Sequence, residues 1–134
     1  MTTDEPSNVE RIKLLLVDDE QAYVTILSKR LTRRDFDVTT AFSGIQGIQA
    51  LRKQDFDVAV LDLKMEDMDG IEVLKIFKKM SPNLSVIMLT GHGSEQAARE
   101  GMEFWAFDYL MKPCELQELV ATIKAAAEKA RASS

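Results

Sequence analysis

Along this chain, five short runs of apolar, β-branched or aromatic residues alternate with stretches whose apolar residues recur at helical spacing, and few folds accept that order. The runs are Ile12 to Val17, Phe36 to Ala41, Val58 to Leu61, Leu84 to Leu89 and Ala106 to Met111. Between and after them, helical spacing appears in Tyr23, Ile26, Leu27 and Leu31, in Ile45, Ile48 and Leu51, and in Val73, Ile76, Phe77 and Met80. A weaker stretch covers about Ser94 to Glu103, and a last one carries Leu116, Leu119, Val120, Ile123 and Ala127. Ser43 with Gln46 and Asp69 with Glu72 have capping-box spacing, and Ser81-Pro82-Asn83 stops a helix before the fourth run. A strand and a helix repeated five times predict a parallel sheet covered on both faces, a doubly wound α/β sandwich, because right-handed crossovers place helices on both sides.

With 134 residues the chain is the size of one domain. Residues 11–131 are expected to form it, with residues 1–10 and 132–134 as disordered tails. The polar, acidic start and the shortness of the apolar runs predict a soluble, cytoplasmic protein without membrane attachment. A net charge of -5 argues against direct nucleic-acid binding, so the basic groups in Lys29 to Arg34 and at Lys75, Lys78 and Lys79 are read as solvated helix faces. Cys114 is the single cysteine and is read as a partly buried structural thiol.

In open α/β sheets, ligands bind beyond the carboxyl ends of the strands. Those ends here read Asp18-Asp19-Glu20, Asp62, Thr90 and Lys112-Pro113. Carboxylates gathered there repel one another, which a divalent cation relieves, and oxygen donors without His or Cys favour Mg2+, with Mn2+ as the alternative. Lys112 adds a positive charge and Thr90 a hydroxyl suited to phosphoryl oxygens, and Asp62 becomes the candidate nucleophile. Taken singly, each residue also reads as a helix cap or an ordinary strand end. Their joint occurrence at one edge of the sheet favours the site.

The motifs LLLVDDE (Leu14 to Glu20), LDLKMEDMDG (Leu61 to Gly70), MLTGHG (Met88 to Gly93) and FDYLMKP (Phe107 to Pro113) give the chain a resemblance to the receiver domains of bacterial two-component systems, chemotaxis regulators included. The resemblance runs from about Arg11 to Arg131. It implies a flavodoxin-like (βα)5 sheet in the order 2-1-3-4-5. It makes Asp62 the phosphoacceptor and Asp18, Asp19, Asp62 and the backbone carbonyl of Lys64 the metal ligands. Thr90 and Lys112 would meet the phosphoryl group, with Thr90 and Tyr109 as the switch pair. A cis peptide bond before Pro113 is also implied. The implied partners are a histidine kinase or phosphotransfer protein, and an output partner or second copy on the face of the fourth helix, fifth strand and fifth helix. The activity implied is signalling with at most slow self-dephosphorylation, not turnover catalysis.

Several positions depart from the family pattern. Glu66 replaces the usual proline, which is expected to loosen its loop, and Lys64, Glu66 and His92 are candidates for tuning the site. Trp105 stands where a glycine usually ends the fourth helix, so that end is expected to be shifted, irregular or shortened. Period-two alternation would put Trp105, Phe107 and Tyr109 on one face of the fifth strand. Two rival readings are a phosphatase similar to the haloacid dehalogenases and a flavodoxin-like cofactor module. The first lacks its second acid because Lys64 occupies that position, and in the second Asp18, Asp19 and Glu20 would repel a cofactor phosphate.

Overall fold

The computed structural model describes residues 10–91 and 93–133. The elements follow in strict alternation: β1 (Lys13–Val17), α1 (Gln21–Thr32), β2 (Asp37–Ala41), α2 (Gly44–Lys53), β3 (Val58–Asp62), α3 (Gly70–Met80), β4 (Ser85–Thr90), α4 (Glu95–Met102), β5 (Asp108–Met111) and α5 (Leu116–Ser133). All strand pairs are parallel, in the order β2-β1-β3-β4-β5. The sequence of turns therefore reverses direction between β1 and β3, where a crevice opens beyond the strand ends.

Alternating residues of the central strands feed two cores, because successive side chains of a strand face opposite ways. Leu15, Val17, Ala59, Leu61, Val86 and Met88 pack under the face carrying α2, α3 and α4. Leu14, Leu16, Val58, Val60, Ile87 and Leu89 pack under α1 and α5. Both caps read from sequence form: the Ser43 hydroxyl accepts from the Gln46 N–H at 3.0 Å and the Asp69 carboxylate from the Ile71 N–H at 3.0 Å. The Gln46 side chain accepts from the Phe42 N–H, whereas Glu72 turns to Lys75 instead of closing its box. α5 continues through Ser133, so residues 132 and 133 are helical where a disordered end was expected; Ser134 and residues 1–9 lie outside the described residues.

The end of α4 corrects a second expectation. Trp105 adopts φ 69°, the left-handed conformation that glycine normally supplies. The closure around it is regular: the Ala106 N–H donates to the Gly101 carbonyl and the Trp105 N–H to the Met102 carbonyl, each at 3.3 Å. The Met102 carbonyl, which the helix end would leave unpaired, is thereby satisfied, and the Gly101 carbonyl, which also accepts the Phe104 N–H at 2.9 Å, gains a second donor; both offset the steric cost at the tryptophan. The expected aromatic stripe does not form, because β5 starts only at Asp108. Trp105 lies on the turn, 76% exposed. Phe107 packs with the α1/α5 core and Tyr109 with the opposite one.

Trp105→Gly is expected to raise stability by up to about 1 kcal/mol. A left-handed L-residue costs roughly 1–2 kcal/mol, glycine's extra unfolded-state freedom returns roughly 0.5–1, and the exposed indole loses little packing. A shift of the urea midpoint to higher concentration at unchanged slope checks this; a lower midpoint means the indole packs more than its exposure indicates.

Candidate functional site

β1 and β3 end side by side, so Asp18 and Asp62 meet at the crevice, with β4 and β5 delivering Thr90 and Lys112 to the same edge. Asp18 and Thr90 have no exposed surface and Asp62 is 4% exposed. Lys112 reaches across the chain to three carboxylates: Asp18 Oδ2 at 2.9 Å, Glu20 Oε1 at 2.6 Å and Asp62 Oδ2 at 3.6 Å. The other Asp62 oxygen, Oδ1, accepts the Lys64 N–H at 3.1 Å. One oxygen of the carboxylate is thus fixed by backbone and the other faces the ammonium group.

Burial pushes the Asp62 carboxyl up to about 6; the Lys64 N–H and Lys112 lower it and Asp18 raises it further, so desolvation wins over attraction. For Lys112 burial works downward, but the hydrogen bonds to Glu20 and Asp18 and the charge of Asp62 prevail and hold the ammonium well above its ordinary value. The cleft is about 520 Å³ and is lined by Asp19, Glu20, Tyr23, Asp62, Lys64 and Lys112 together with Gly91 and Pro113. The bond before Pro113 is cis.

Ligand oxygens of Asp18, Glu20 and Asp62 lie within 4.8 Å of one another, with no nitrogen or sulfur donor among them. A hard divalent cation that keeps part of its water shell fits that donor set. Glu20 was not singled out from sequence as a ligand; it joins Asp18 and Asp62, while Asp19 lines the same cleft with its carboxylate accepting the Glu66 N–H at 3.0 Å. That bond corrects the expectation for Glu66. A proline has no N–H, so the glutamate ties its loop to Asp19, two residues after β1, instead of loosening it. Asp67 adds a second tie, accepting the Gly44 and Ile45 N–H groups at the start of α2 at 3.0 and 3.1 Å.

Among the described residues, Thr90 Oγ1 makes only a long contact, 3.4 Å, to the Gly91 carbonyl, near the limit of a hydrogen bond. Tyr109 is half-buried on β5. His92, the remaining tuning candidate, lies outside the described residues. Tyr23 was also missed: its ring sits 4.6 Å from Lys112 Nζ, and burial pushes its hydroxyl up to about 12. Its position, one turn into the helix that follows the acid pair, was the available signal, but its apolar periodicity read as core. Cys114 is half-buried and burial raises its thiol above the usual range, in keeping with a structural role.

Comparisons with known proteins agree on the architecture. The family model described as the response regulator receiver domain matches residues 14–124. The transcriptional regulatory protein ZraR of Escherichia coli K12 is 37% identical over 117 residues, covering 87% of this chain but only 26% of that protein. ZraR of Klebsiella oxytoca is 35% identical over 92% of this chain and 28% of its own length. Among solved structures, a response regulator receiver domain protein from Clostridium thermocellum superposes with a TM-score of 0.88 at 32% identity, covering 92% of this chain and 99% of that one. The chain thus spans about a quarter of the curated regulators it matches and nearly all of a separately solved receiver domain.

Proposed function

Because the chain belongs to the response regulator receiver domain family, we propose that it is a phosphoacceptor switch in which Asp62 takes a phosphoryl group from the phosphohistidine of a histidine kinase or phosphotransfer protein. The observation that carries this reading is the pairing of a buried Asp62, one oxygen held by the Lys64 N–H, with the Lys112 ammonium facing the other. Asp62 Oδ2 attacks phosphorus; the O–P bond forms, the P–N bond to the donor imidazole breaks with its electron pair returning to nitrogen, and the ring, already protonated on its other nitrogen, leaves as neutral imidazole. Lys112 meets the charge on the phosphoryl oxygens and Thr90 turns its weakly held hydroxyl toward them. Asp18, Asp19 and Asp62, with the Lys64 carbonyl and Glu20, would hold Mg2+, or Mn2+ in its place, which would supply a further positive charge for the phosphoryl oxygens when bound. Lys64 and Glu66, exposed beside the cleft, tune the lifetime of the acyl phosphate, and His92 follows Thr90 by two residues.

The output follows from the same edge. Rotation of Thr90 opens space beside β5 for Tyr109 to turn inward, altering the face of α4, β5 and α5 that a partner, an output domain or a second copy engages. The protein acts in the cytoplasm as a signalling module and not as a turnover enzyme; among the described residues no helix is long and apolar enough to cross a membrane. Incubation with a small phosphodonor and Mg2+ is expected to add one phosphoryl group by intact mass and to change backbone exchange across residues 94 to 125. Labelling that leaves exchange there unchanged refutes the switch; absence of labelling refutes the acceptor.

A further inference from the structure

Away from the cleft, a groove of about 720 Å³ runs between α3, the turn after α4 and the end of α5. The phosphoryl chemistry uses none of it. Lys75, Lys78, Lys79 and Lys129 line it, against a single carboxylate, Glu72, which already pairs with Lys75 at 3.3 Å. Two of these lysines build the groove: Lys75 lies 4.3 Å from the Phe104 ring centre, and Lys78 donates to the Pro82 and Leu84 carbonyls at 2.9 and 2.7 Å. Lys78 is therefore not the solvated residue its sequence context suggested. Lys79 and Lys129 are exposed and, among the described residues, make no ion pair.

Over this basic rim stands Trp105, 76% exposed and held at φ 69°, a backbone position that glycine occupies at lower cost. A large exposed aromatic kept at a strained position is an unusual way to end a helix, and it is what an interaction anchor looks like. Charge decides the partner. The chain as a whole carries -5, so a long polyanion meets net repulsion over the surface beyond the groove, whereas a short acidic segment meets only the local lysines. We propose that this groove docks a short acidic peptide segment of a partner protein, whose carboxylates meet Lys79 and Lys129 and whose apolar side chain lies on the Trp105 indole. The site is separate from the phosphorylation cleft and does not depend on the reading of Asp62.

The test titrates the full chain against a dye-labelled synthetic peptide of alternating Glu and Leu, read by anisotropy. Saturable binding that weakens with added salt is expected, because the rim lysines are exposed. The double variant Lys79→Glu/Lys129→Glu should weaken it roughly tenfold or more, since two attractive contacts become repulsive. Trp105→Gly should abolish it while the circular dichroism and urea midpoint show a fold at least as stable as the parent. The proposal is overturned if the peptide fails to bind, if charge reversal leaves affinity unchanged, if Trp105→Gly binds as tightly as the parent, or if a single-stranded oligonucleotide binds more tightly than the peptide.

Discussion

Asp62→Asn is expected to remove all phosphoryl incorporation from a small phosphodonor while making the metal-free domain more stable above pH 6. The amide keeps the shape and can still accept the Lys64 N–H, but it has no anionic oxygen with which to attack phosphorus. The stability gain follows from the burial that lifts the parent carboxyl from 3.8 to about 6. Between those values the Asp62 carboxyl binds more protons in the folded state than in the unfolded one, so its contribution to the stability of the parent is most favourable below the interval and declines as pH rises through it. At about 1.4 kcal/mol per unit, ionised Asp62 costs the folded state on the order of 2–3 kcal/mol at neutral pH, with Lys112 already counted in the balance. Melting curves of parent and variant in chelator, compared from pH 4 to pH 7, should diverge as pH rises. Residual labelling of the variant sinks the acceptor assignment; a constant difference in stability sinks the burial argument.

The second large effect is expected at the acid pair. Asp19→Ala should weaken Mg2+ binding roughly tenfold or more, the range seen even for outer-sphere partners of a bound ion, and slow phosphorylation accordingly. Its cost to folding should stay near 1 kcal/mol, because among the described residues the Asp19 side chain accepts a single hydrogen bond, from the Glu66 N–H, on an exposed loop where water can replace it. Asp18 makes a less informative target: it is fully buried against Lys112, and its removal disturbs the ammonium as well as the cation. Calorimetric titration with Mg2+ separates the two effects, and unchanged affinity in a folded Asp19→Ala variant removes Asp19 from the ligand set. Glu20→Gln run in parallel shows whether the third acid at the cleft contributes to the ion or only to Lys112.

The periodicity of the chain was enough to settle the five-stranded parallel sheet, because a strand buried on both faces must be continuously apolar and a helix covering it must be amphipathic. It also placed Asp18, Asp62, Thr90 and Lys112 at one edge, since a parallel sheet brings all its strand ends to the same side. These are consequences of local pattern and connectivity. Contacts between residues far apart in sequence depended on the packed chain. Lys112 bridges to Asp18 and Glu20 over more than ninety positions, and the Glu66 N–H reaches Asp19 over 47. Nothing in a one-dimensional pattern says which of several nearby carboxylates a long lysine selects. Trp105 shows the same limit in the backbone: its side chain argued against a left-handed turn, yet the hydrogen bonds to Gly101 and Met102 and the burial of Ala106 below it outweigh that local preference. Local sequence determines what each residue prefers; tertiary structure decides where a preference is overruled, because only there do the compensating contacts exist.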